Sequence, residues 1–297
     1  MAMKAKDRWL ARFFHLFLTT CVLVLVFIKD TELKLYLYNG QLNYVFAYMS
    51  LVLLSTMFYL IASFMDPGYA RSNICDVESS SHGVTFNNTP QQDGGGGENE
   101  LLEANEMVDT SETSFMLTPP ASKDSVSGTA LPRWRRCGFC DIIQPLRAKH
   151  CEECQQCIRR YDHHCPWLGS CIGERNHKFF LAFLFSETCL IAWTIHISYR
   201  AFRAEHTWKH WFERNWMVLV LTMFLCAVMI VVGLLWLCHS FMMFTAQTTW
   251  EFMSRPRISY LKKLPIDYNP FDQGYLKNFL TFLCYFKVQR WDALYPD

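Results

Sequence analysis

Residues 137–171 read CGFCDIIQPLRAKHCEECQQCIRRYDHHCPWLGSC. This stretch holds seven cysteines and three histidines: Cys137, Cys140, His150, Cys151, Cys154, Cys157, His163, His164, Cys165 and Cys171. Cys-x2-Cys spacing recurs in it, and this spacing lets one short turn present two thiolates to one ion. Structural zinc takes four such ligands, so two ions would use eight of the ten and leave two over. The stretch therefore predicts a small domain braced by two zinc ions.

The composition around this stretch indicates a membrane protein. The chain is 51% hydrophobic, 16% aromatic and only 19% charged over 297 residues, which is too apolar for soluble domains. Its net charge of +1 offers no bulk attraction for nucleic acid, and we expect no nucleic-acid partner. Thirteen cysteines would suit a secreted disulfide protein, but we find no cleavable signal peptide and the thiols are clustered. That pattern favours metal binding in a reducing compartment.

Four long apolar segments are predicted to cross the bilayer as helices: 13–28, 44–65, 179–199 and 216–237. An even number of spans places both termini on one side. Of the 28 Lys and Arg residues, 22 lie in the termini and between the second and third spans, which predicts that these parts face the cytosol. The predicted fold class is thus an all-α membrane protein, with a small cytosolic zinc-binding Cys-rich domain between helices 2 and 3.

The chain divides into five predicted parts. These are helices 1 and 2 (1–70), a disordered acidic linker (71–131), the Cys-rich domain (132–178), helices 3 and 4 (179–246) and a cytosolic C-terminal tail (247–297). The linker has few apolar residues and many acids, so it buries too little surface to offset the entropy of ordering. Glu187 lies within the third span and is either a functional acid or a paired structural one.

The two ligands left over after zinc binding allow different interpretations. A double zinc module can be a scaffold with a spare His and Cys, as most zinc modules are. Alternatively, Asp162, His163 and Cys165 supply the residue types of an acid, a base and a nucleophile within four positions. A third interpretation is a zinc hydrolase, in which a metal keeps an open position for water. Spacing alone does not decide which His and Cys are spare.

The segment Tyr161-Asp162-His163-His164-Cys165-Pro166-Trp167 resembles the signature of the DHHC-type protein S-acyltransferases. Two further motifs support the resemblance: Asp66-Pro67-Gly68 after the second span and Thr248-Thr249-Trp250-Glu251, a TTxE motif, after the fourth. Many members have Asn before the last cysteine of the domain, whereas this chain has Ser170. The turn beside Cys171 is therefore expected to differ in detail.

The resemblance implies a role for each ligand. One structural zinc would be held by Cys137, Cys140, His150 and Cys157, and the other by Cys151, Cys154, His164 and Cys171. It also implies that Cys165 is the nucleophile, that His163 is its base and that Asp162 positions His163. Trp167 would form a wall of the acyl-CoA site, and Thr249 would approach Asp162.

The implied activity is that of a palmitoyltransferase with acyl-CoA as co-substrate. Its partners would be the lipid bilayer and membrane-associated proteins with an accessible cysteine, in the Golgi or the endoplasmic reticulum. The basic residues of 132–178 could attract anionic lipid or the phosphates of coenzyme A. The alternative to this enzyme is a membrane adaptor whose zinc module only binds partners.

Overall fold

The computed structural model describes residues 5–70, 135–284 and 290–295, so the predicted acidic linker 71–131 lies outside the described residues. Its helices are α1 (Ala5–Ile28), α2 (Glu32–Tyr38), α3 (Leu42–Phe64), α4 (His177–Arg200), α5 (Trp208–Phe244), α6 (Thr249–Ser254) and α7 (Tyr275–Cys284). Its strands are β1 (Arg135–Cys137), β2 (Ile142–Gln144), β3 (Lys149–Cys151), β4 (Gln156–Ile158), β5 (His163–Cys165) and β6 (Ser170–Ile172). Short 3-10 turns follow at Arg255–Arg257 and Trp291–Leu294.

Four helices, α1, α3, α4 and α5, are long and apolar enough to cross a membrane. Each contains one predicted span and extends it, except that α3 ends one residue before its predicted end. The difference is largest for α5, whose 37 residues cover about 55 Å at 1.5 Å per residue. A hydrocarbon core of about 30 Å cannot enclose this length. A helix of this length that crosses such a core extends beyond it.

The long helices pack around α4, which contacts both α3 and α5. Their buried contacts include Tyr48, Leu190 and Leu225, one from each of these three helices. Two polar links cross the α3–α4 interface: the Tyr48 and Thr194 hydroxyls lie 2.9 Å apart, and the Ser55 hydroxyl donates to Glu187. Glu187 thus has a hydrogen-bond partner inside the bundle, as the structural interpretation of this acid requires.

The Cys-rich segment corrects the prediction of an all-α protein. It forms three antiparallel hairpins, β1–β2, β3–β4 and β5–β6, placed in the chain between the second and the third long helix. Each strand has three residues, which is too short for the alternation that reveals a strand in a sequence. The structure is therefore mostly helical, with a β-hairpin domain at the Cys-rich segment.

The turn at Asp66-Pro67-Gly68 connects α3 to this domain. The Asp66 carboxylate accepts hydrogen bonds from the backbone N–H groups of Gly68 and Tyr69, and Pro67 cannot continue the helix. Gly68 has a φ of +106°, which glycine adopts without a steric penalty. The motif thus ends the helix and turns the chain, and Tyr69 then pairs with Ile158 at the edge of the domain.

The C-terminal tail covers the end of α5. The side-chain amides of Asn269 and Asn278 donate to the backbone oxygens of Thr245 and Phe244, at 2.6 and 2.7 Å. These carbonyls belong to the last turn of the helix, where intrahelical partners are lacking. The tail is fixed by a small apolar cluster that includes Phe271 and Trp291. Its polar residues therefore have a structural role.

Gly173 gives a direct test of how tightly the last hairpin is packed. A Cβ at this position would lie 2.6 Å from both Ile158 Cγ2 and the Pro67 carbonyl oxygen. We expect Gly173→Ala to lower the free energy of unfolding by about 1–3 kcal/mol through overpacking. The measurement is the thermal unfolding midpoint of the detergent-solubilised protein. Gly138→Ala is the matched control, since a Cβ there meets nothing within 4 Å, and equal midpoints for the two variants would contradict the packing.

Candidate functional site

Strand β5 directs neighbouring side chains of the DHHC segment to opposite sides. Successive side chains of a strand point to opposite faces, so His163 and Cys165 share one face and His164 lies on the other. His164 pairs directly with Cys171 on β6, and Cys165 pairs with Ser170. The hairpin therefore directs one histidine toward a group of cysteines and keeps the other beside Cys165.

The first group that could hold a metal ion surrounds His164 and consists of Cys151, Cys154, His164 and Cys171. The three sulfur atoms lie 3.7, 3.5 and 3.5 Å from His164 Nδ1. Tetrahedral zinc binds sulfur at about 2.3 Å and nitrogen at about 2.0–2.1 Å, which places these two ligand atoms about 3.6 Å apart. The donor set and its spacing thus fit a zinc ion.

The second group that could hold a metal ion consists of Cys137, Cys140, His150 and Cys157. His150 and Cys157 are partners across the β3–β4 hairpin. The sulfur atoms of Cys140 and Cys157 lie 3.3 and 4.0 Å from His150 Nδ1. Gln144 Nε2 donates a hydrogen bond to the Cys157 sulfur at 3.2 Å, which favours a thiolate there. Each group draws ligands from two hairpins, so an ion in each would join all three.

Cys165 lies outside both groups and beside His163. His163 Nδ1 lies 2.6 Å from Asp162 Oδ2, and the Cys165 thiol lies two positions further along β5 on the same face as His163. Asp162 is fully buried, whereas His163 is partly exposed. The three side chains that the sequence analysis selected thus lie together: the Asp162 carboxylate bonds to the His163 imidazole, and the Cys165 thiol lies on the same face of β5 as that imidazole.

The backbone after α5 holds Asp162 in place. Thr249 donates twice to this carboxylate, from its backbone N–H to Oδ1 and from its hydroxyl to Oδ2, each at 2.8 Å. Thr249 is the first residue of α6, whose N-terminus is closed by a capping box between Thr248 and Glu251. The TTxE motif therefore presents one free helical N–H and one hydroxyl to the acid.

The electrostatic interaction between Asp162 and His163 favours the protonated, charged form of the His163 ring. Burial raises the pKa of Asp162, but the hydrogen bond and the charge interaction with the His163 imidazole outweigh burial and hold this pKa well below its ordinary value. Burial likewise lowers the pKa of His163, but its hydrogen bonds and charge interactions with Asp162 and Cys165 prevail and raise this pKa to about 9. A proton taken up by His163 is thus stabilised next to Cys165.

Sequence reasoning missed a buried ion pair that connects the Cys-rich segment to α6. Arg147 donates from Nε and Nη2 to the two carboxylate oxygens of Glu251, at 2.7 and 2.5 Å, and also reaches the Ala246 carbonyl at 2.8 Å. The guanidinium lies over the rings of Phe271 and Trp291. Arg147 and Glu251 are 104 positions apart, so no local pattern could have revealed their pairing.

Glu251→Gln should destabilise the docking of α6, since it leaves the Arg147 charge buried without its partner. Removing one member of a buried pair costs about 3–5 kcal/mol. We expect a lower thermal midpoint and faster proteolysis of the segment after α5. Asp141→Asn, which breaks the exposed pair between Arg136 and Asp141, is the control and should leave both measurements unchanged. A Glu251→Gln variant as stable as this control would exclude the pair as a stabilising contact.

The basic residues of the Cys-rich segment are less available than the sequence suggests. Arg147, Arg159 and Arg160 are buried, and Arg159 pairs with Glu174 at 2.8 Å. These three therefore do not face anionic lipid or the phosphates of coenzyme A. Of the remaining basic residues, Arg135 and Arg136 lie at the exposed start of β1.

Apolar residues enclose Cys165 and continue toward the helices. Cys165 packs with Tyr59, Leu168, Phe180 and Leu184. Farther along the bundle, α1, α3, α4 and α5 surround a cleft that is open at its sides and is lined mainly by aliphatic side chains, with Glu187 among the polar ones. Trp167, two positions after Cys165, is 69% exposed and lies 6.3 Å from the ring of Phe14.

The site also includes two histidines to which the sequence analysis assigned no role. His177 at the start of α4 and His239 near the end of α5 are both buried next to Asp162. Asp162, His163 and His239 are close enough together to be considered for a metal. However, Asp162 and His163 already bond to each other, and His239 Nδ1 contacts His177 Nε2 at 3.2 Å. Hydrogen bonds thus occupy these donor atoms.

The known proteins to which this chain is similar include palmitoyltransferases and a protein S-acyltransferase. The model of the DHHC palmitoyltransferase family matches residues 132–256. The chain is 32% identical to palmitoyltransferase ZDHHC12 of Homo sapiens, over 97% of this chain and 92% of that protein, and 34% identical to ZDHHC12-A of Danio rerio, over 98% and 95%. It is also 31% identical to protein S-acyltransferase 10 of Arabidopsis thaliana, over 81% of this chain and 71% of that protein.

Proposed function

The chain belongs to the DHHC palmitoyltransferase family and is a protein S-acyltransferase, and on this basis we propose that Cys165 carries the acyl group during transfer. The observation that supports this most directly is the place of Cys165 outside both four-ligand groups and beside His163. His163 then acts as the base. Asp162 holds His163 in the tautomer and the orientation that a base at this position needs.

In the first step the neutral form of His163 takes the proton of the Cys165 thiol and becomes the imidazolium that Asp162 stabilises. The thiolate attacks the thioester carbonyl of a long-chain acyl-CoA, and the bond to the CoA sulfur breaks. The departing CoA thiolate receives the proton from His163. The product is an acyl thioester on Cys165 and free CoA. Asp162 stays ionised throughout, since its carboxylate accepts from Thr249 and from His163 at once.

In the second step a cysteine of a substrate protein takes the acyl group. His163 removes the proton of the incoming thiol, and that sulfur attacks the acyl carbonyl on Cys165. The Cys165 sulfur leaves and is reprotonated by His163. Because the acceptor must reach a site at the membrane surface, the substrates are membrane-associated proteins with an accessible cysteine.

The acyl chain needs an apolar environment during both steps. At about 0.8 kcal/mol per buried CH2, exposing a chain of about sixteen carbons to water would be prohibitive. We assign the chain to the apolar residues around Cys165 and to the space between α1, α3, α4 and α5. Trp167, exposed beside Cys165, would form a wall of the acyl-CoA site.

Two structural zinc ions complete the proposal, one in each Cys/His group. Zinc ions bound in both groups would fix the three hairpins in their arrangement, and they would have no part in the chemistry at Cys165. Four ligands at each ion leave no open position for water, which argues against a zinc hydrolase. We place the termini and the Cys-rich segment on the cytosolic side of the Golgi or endoplasmic reticulum membrane, in accord with the charge distribution and the clustered cysteines.

The experiment that tests this function is mass spectrometry of the purified full chain after incubation with palmitoyl-CoA. We expect one hydroxylamine-sensitive palmitoyl group on the peptide that contains Cys165, and its loss when a substrate peptide with a free cysteine is added. Stable modification only at other cysteines, or no modification in protein that retains its zinc, would overturn the assignment. Metal analysis of the same sample should return two zinc ions per chain.

A further inference from the structure

A second layer of polar side chains lies behind Asp162, buried between the Cys-rich segment and the helices. It consists of Arg160, His177 and His239, each almost completely buried. Arg160 Nη1 lies 3.4 Å from His177 Nδ1, and His177 Nε2 lies 3.2 Å from His239 Nδ1. The three residues come from the Cys-rich segment, α4 and α5 in turn. They form one hydrogen-bonded row that joins three parts of the fold.

Arg160 determines which ring nitrogen donates and which accepts in each hydrogen bond of this row. A guanidinium has five N–H donors and no acceptor, so His177 Nδ1 must accept from it. The hydrogen of a neutral His177 ring is then on Nε2, and Nε2 must donate to His239 Nδ1. His239 in turn carries its hydrogen on Nε2. Burial lowers the pKa of Arg160 only to about 10, so the guanidinium remains charged near neutral pH.

Because the hydrogen bonds run in this direction, the two histidines of the row do not donate to Asp162. Within the row, the nitrogens closest to the carboxylate are His177 Nδ1, 3.9 Å from Oδ1, and His239 Nδ1, 4.0 Å from Oδ2. Both are the acceptor atoms of their rings, so neither offers a hydrogen to the carboxylate. Oδ2 therefore accepts from the His163 imidazole and the Thr249 hydroxyl without competition from these two rings.

The row also supports the position of His163 sterically. The ring of His239 lies 5.7 Å from that of His163 and meets Phe180 edge-on at 5.0 Å. Phe180 in turn lies 5.7 Å from His163. The imidazole of His163 thus faces a wall whose own orientation depends on the hydrogen bond from His177.

We propose that Arg160, His177 and His239 are positioning residues of the acyl-transfer site: by fixing which ring nitrogens carry hydrogen, they keep Asp162 paired with His163. The inference rests on the proposed role of Cys165, since it assigns the row to the base that serves this thiol. The three residues do not contact the acyl group. Their effect is to hold the Asp162 carboxylate and the His163 ring in the productive arrangement.

His239→Leu and His239→Asn separate this role from simple packing. The Asn side chain can place an oxygen near the position of Nδ1 and accept from His177, whereas Leu leaves that donor unpaired. With purified full chain and palmitoyl-CoA, we expect His239→Leu to slow the rate constant of acyl-enzyme formation about 10–100-fold, the usual cost of losing such a supporting contact. The half-saturating palmitoyl-CoA concentration should stay unchanged, and His239→Asn should recover most of the rate. His196→Leu, an exposed histidine of α4, is the matched control.

Two outcomes would overturn the inference. One is a His239→Leu rate equal to that of the His196→Leu control. The other is an equal loss of rate in His239→Leu and His239→Asn with loss of zinc or a lower thermal midpoint, which would make the contact structural only. Cys165→Ser is measured in parallel, and if that variant still forms an acyl-enzyme, the proposed function fails. If Cys165→Ser is inactive but the His239 variants react at the normal rate, only the positioning role of the row is rejected.

Discussion

Cys165→Ser is expected to abolish the acyl-enzyme and to slow acyl transfer to a substrate cysteine by about a thousandfold or more. A serine hydroxyl has the same size as a thiol within a few tenths of an ångström, but it is ionised far less readily beside His163. The variant should therefore keep its fold while it loses the nucleophile. The measurement is the incorporation of labelled palmitate into the purified chain and its transfer to a peptide.

The chain offers a matched control for this variant. Cys189 lies on α4, within a predicted span, and is partly buried, so Cys189→Ser changes the same atom away from the site. It should retain both labelling and transfer. Cys165→Ser should also retain two zinc ions, since its sulfur is outside both metal groups. A Cys165→Ser variant that loses zinc would instead show that this cysteine is a ligand.

Cys171→Ala is expected to have the largest effect on stability. Cys171 is fully buried at the centre of β6 and belongs to the group around His164. Binding of structural zinc contributes on the order of 10 kcal/mol to the folding of small zinc modules, so the loss of one of four ligands should release the ion and loosen the hairpins. We expect the zinc content to fall from two to one per chain, with rapid proteolysis of the Cys-rich segment.

Cys157→Ala tests the other metal group in the same way, since Cys157 pairs with His150 across β3 and β4. It should release the other ion and leave the group around His164 intact. Cys226→Ala, an exposed position of α5, is the control and should keep both ions. Unchanged zinc content in both Cys171→Ala and Cys157→Ala would contradict the ligand assignment.

The long helices and the family could be predicted from local features. An uninterrupted apolar run of about twenty residues has to satisfy its backbone within a helix inside a bilayer, so composition alone is sufficient to locate it. The helix ends were less predictable: α5 begins at Trp208, eight residues before the apolar run. Those first residues are polar and aromatic, and their helical state depends on capping by Thr207 and on the contacts of Asn215 with Arg203.

The Cys and His residues of this segment show what the sequence determines and what the folded structure adds. Residue types and spacing determined by themselves that metal groups and a Cys/His pair are present in residues 137–171, and family resemblance supplied an assignment. Strand alternation in the folded chain places His164 among the cysteines and His163 beside Cys165, because neighbouring side chains of a strand face opposite ways.

Tertiary structure determines the surroundings of Asp162, and of these only the approach of Thr249 was expected from the family resemblance. Thr249, His177 and His239 approach Asp162 from 87, 15 and 77 positions away in the chain, and Arg147 reaches Glu251 over 104. The sequence determined which segments enter the bilayer and which residues can bind metal or act as a nucleophile, since these depend on composition and short spacing. Only the folded chain decided which buried polar groups meet, because such a contact forms when the packing of distant helices leaves each group no water and one available partner.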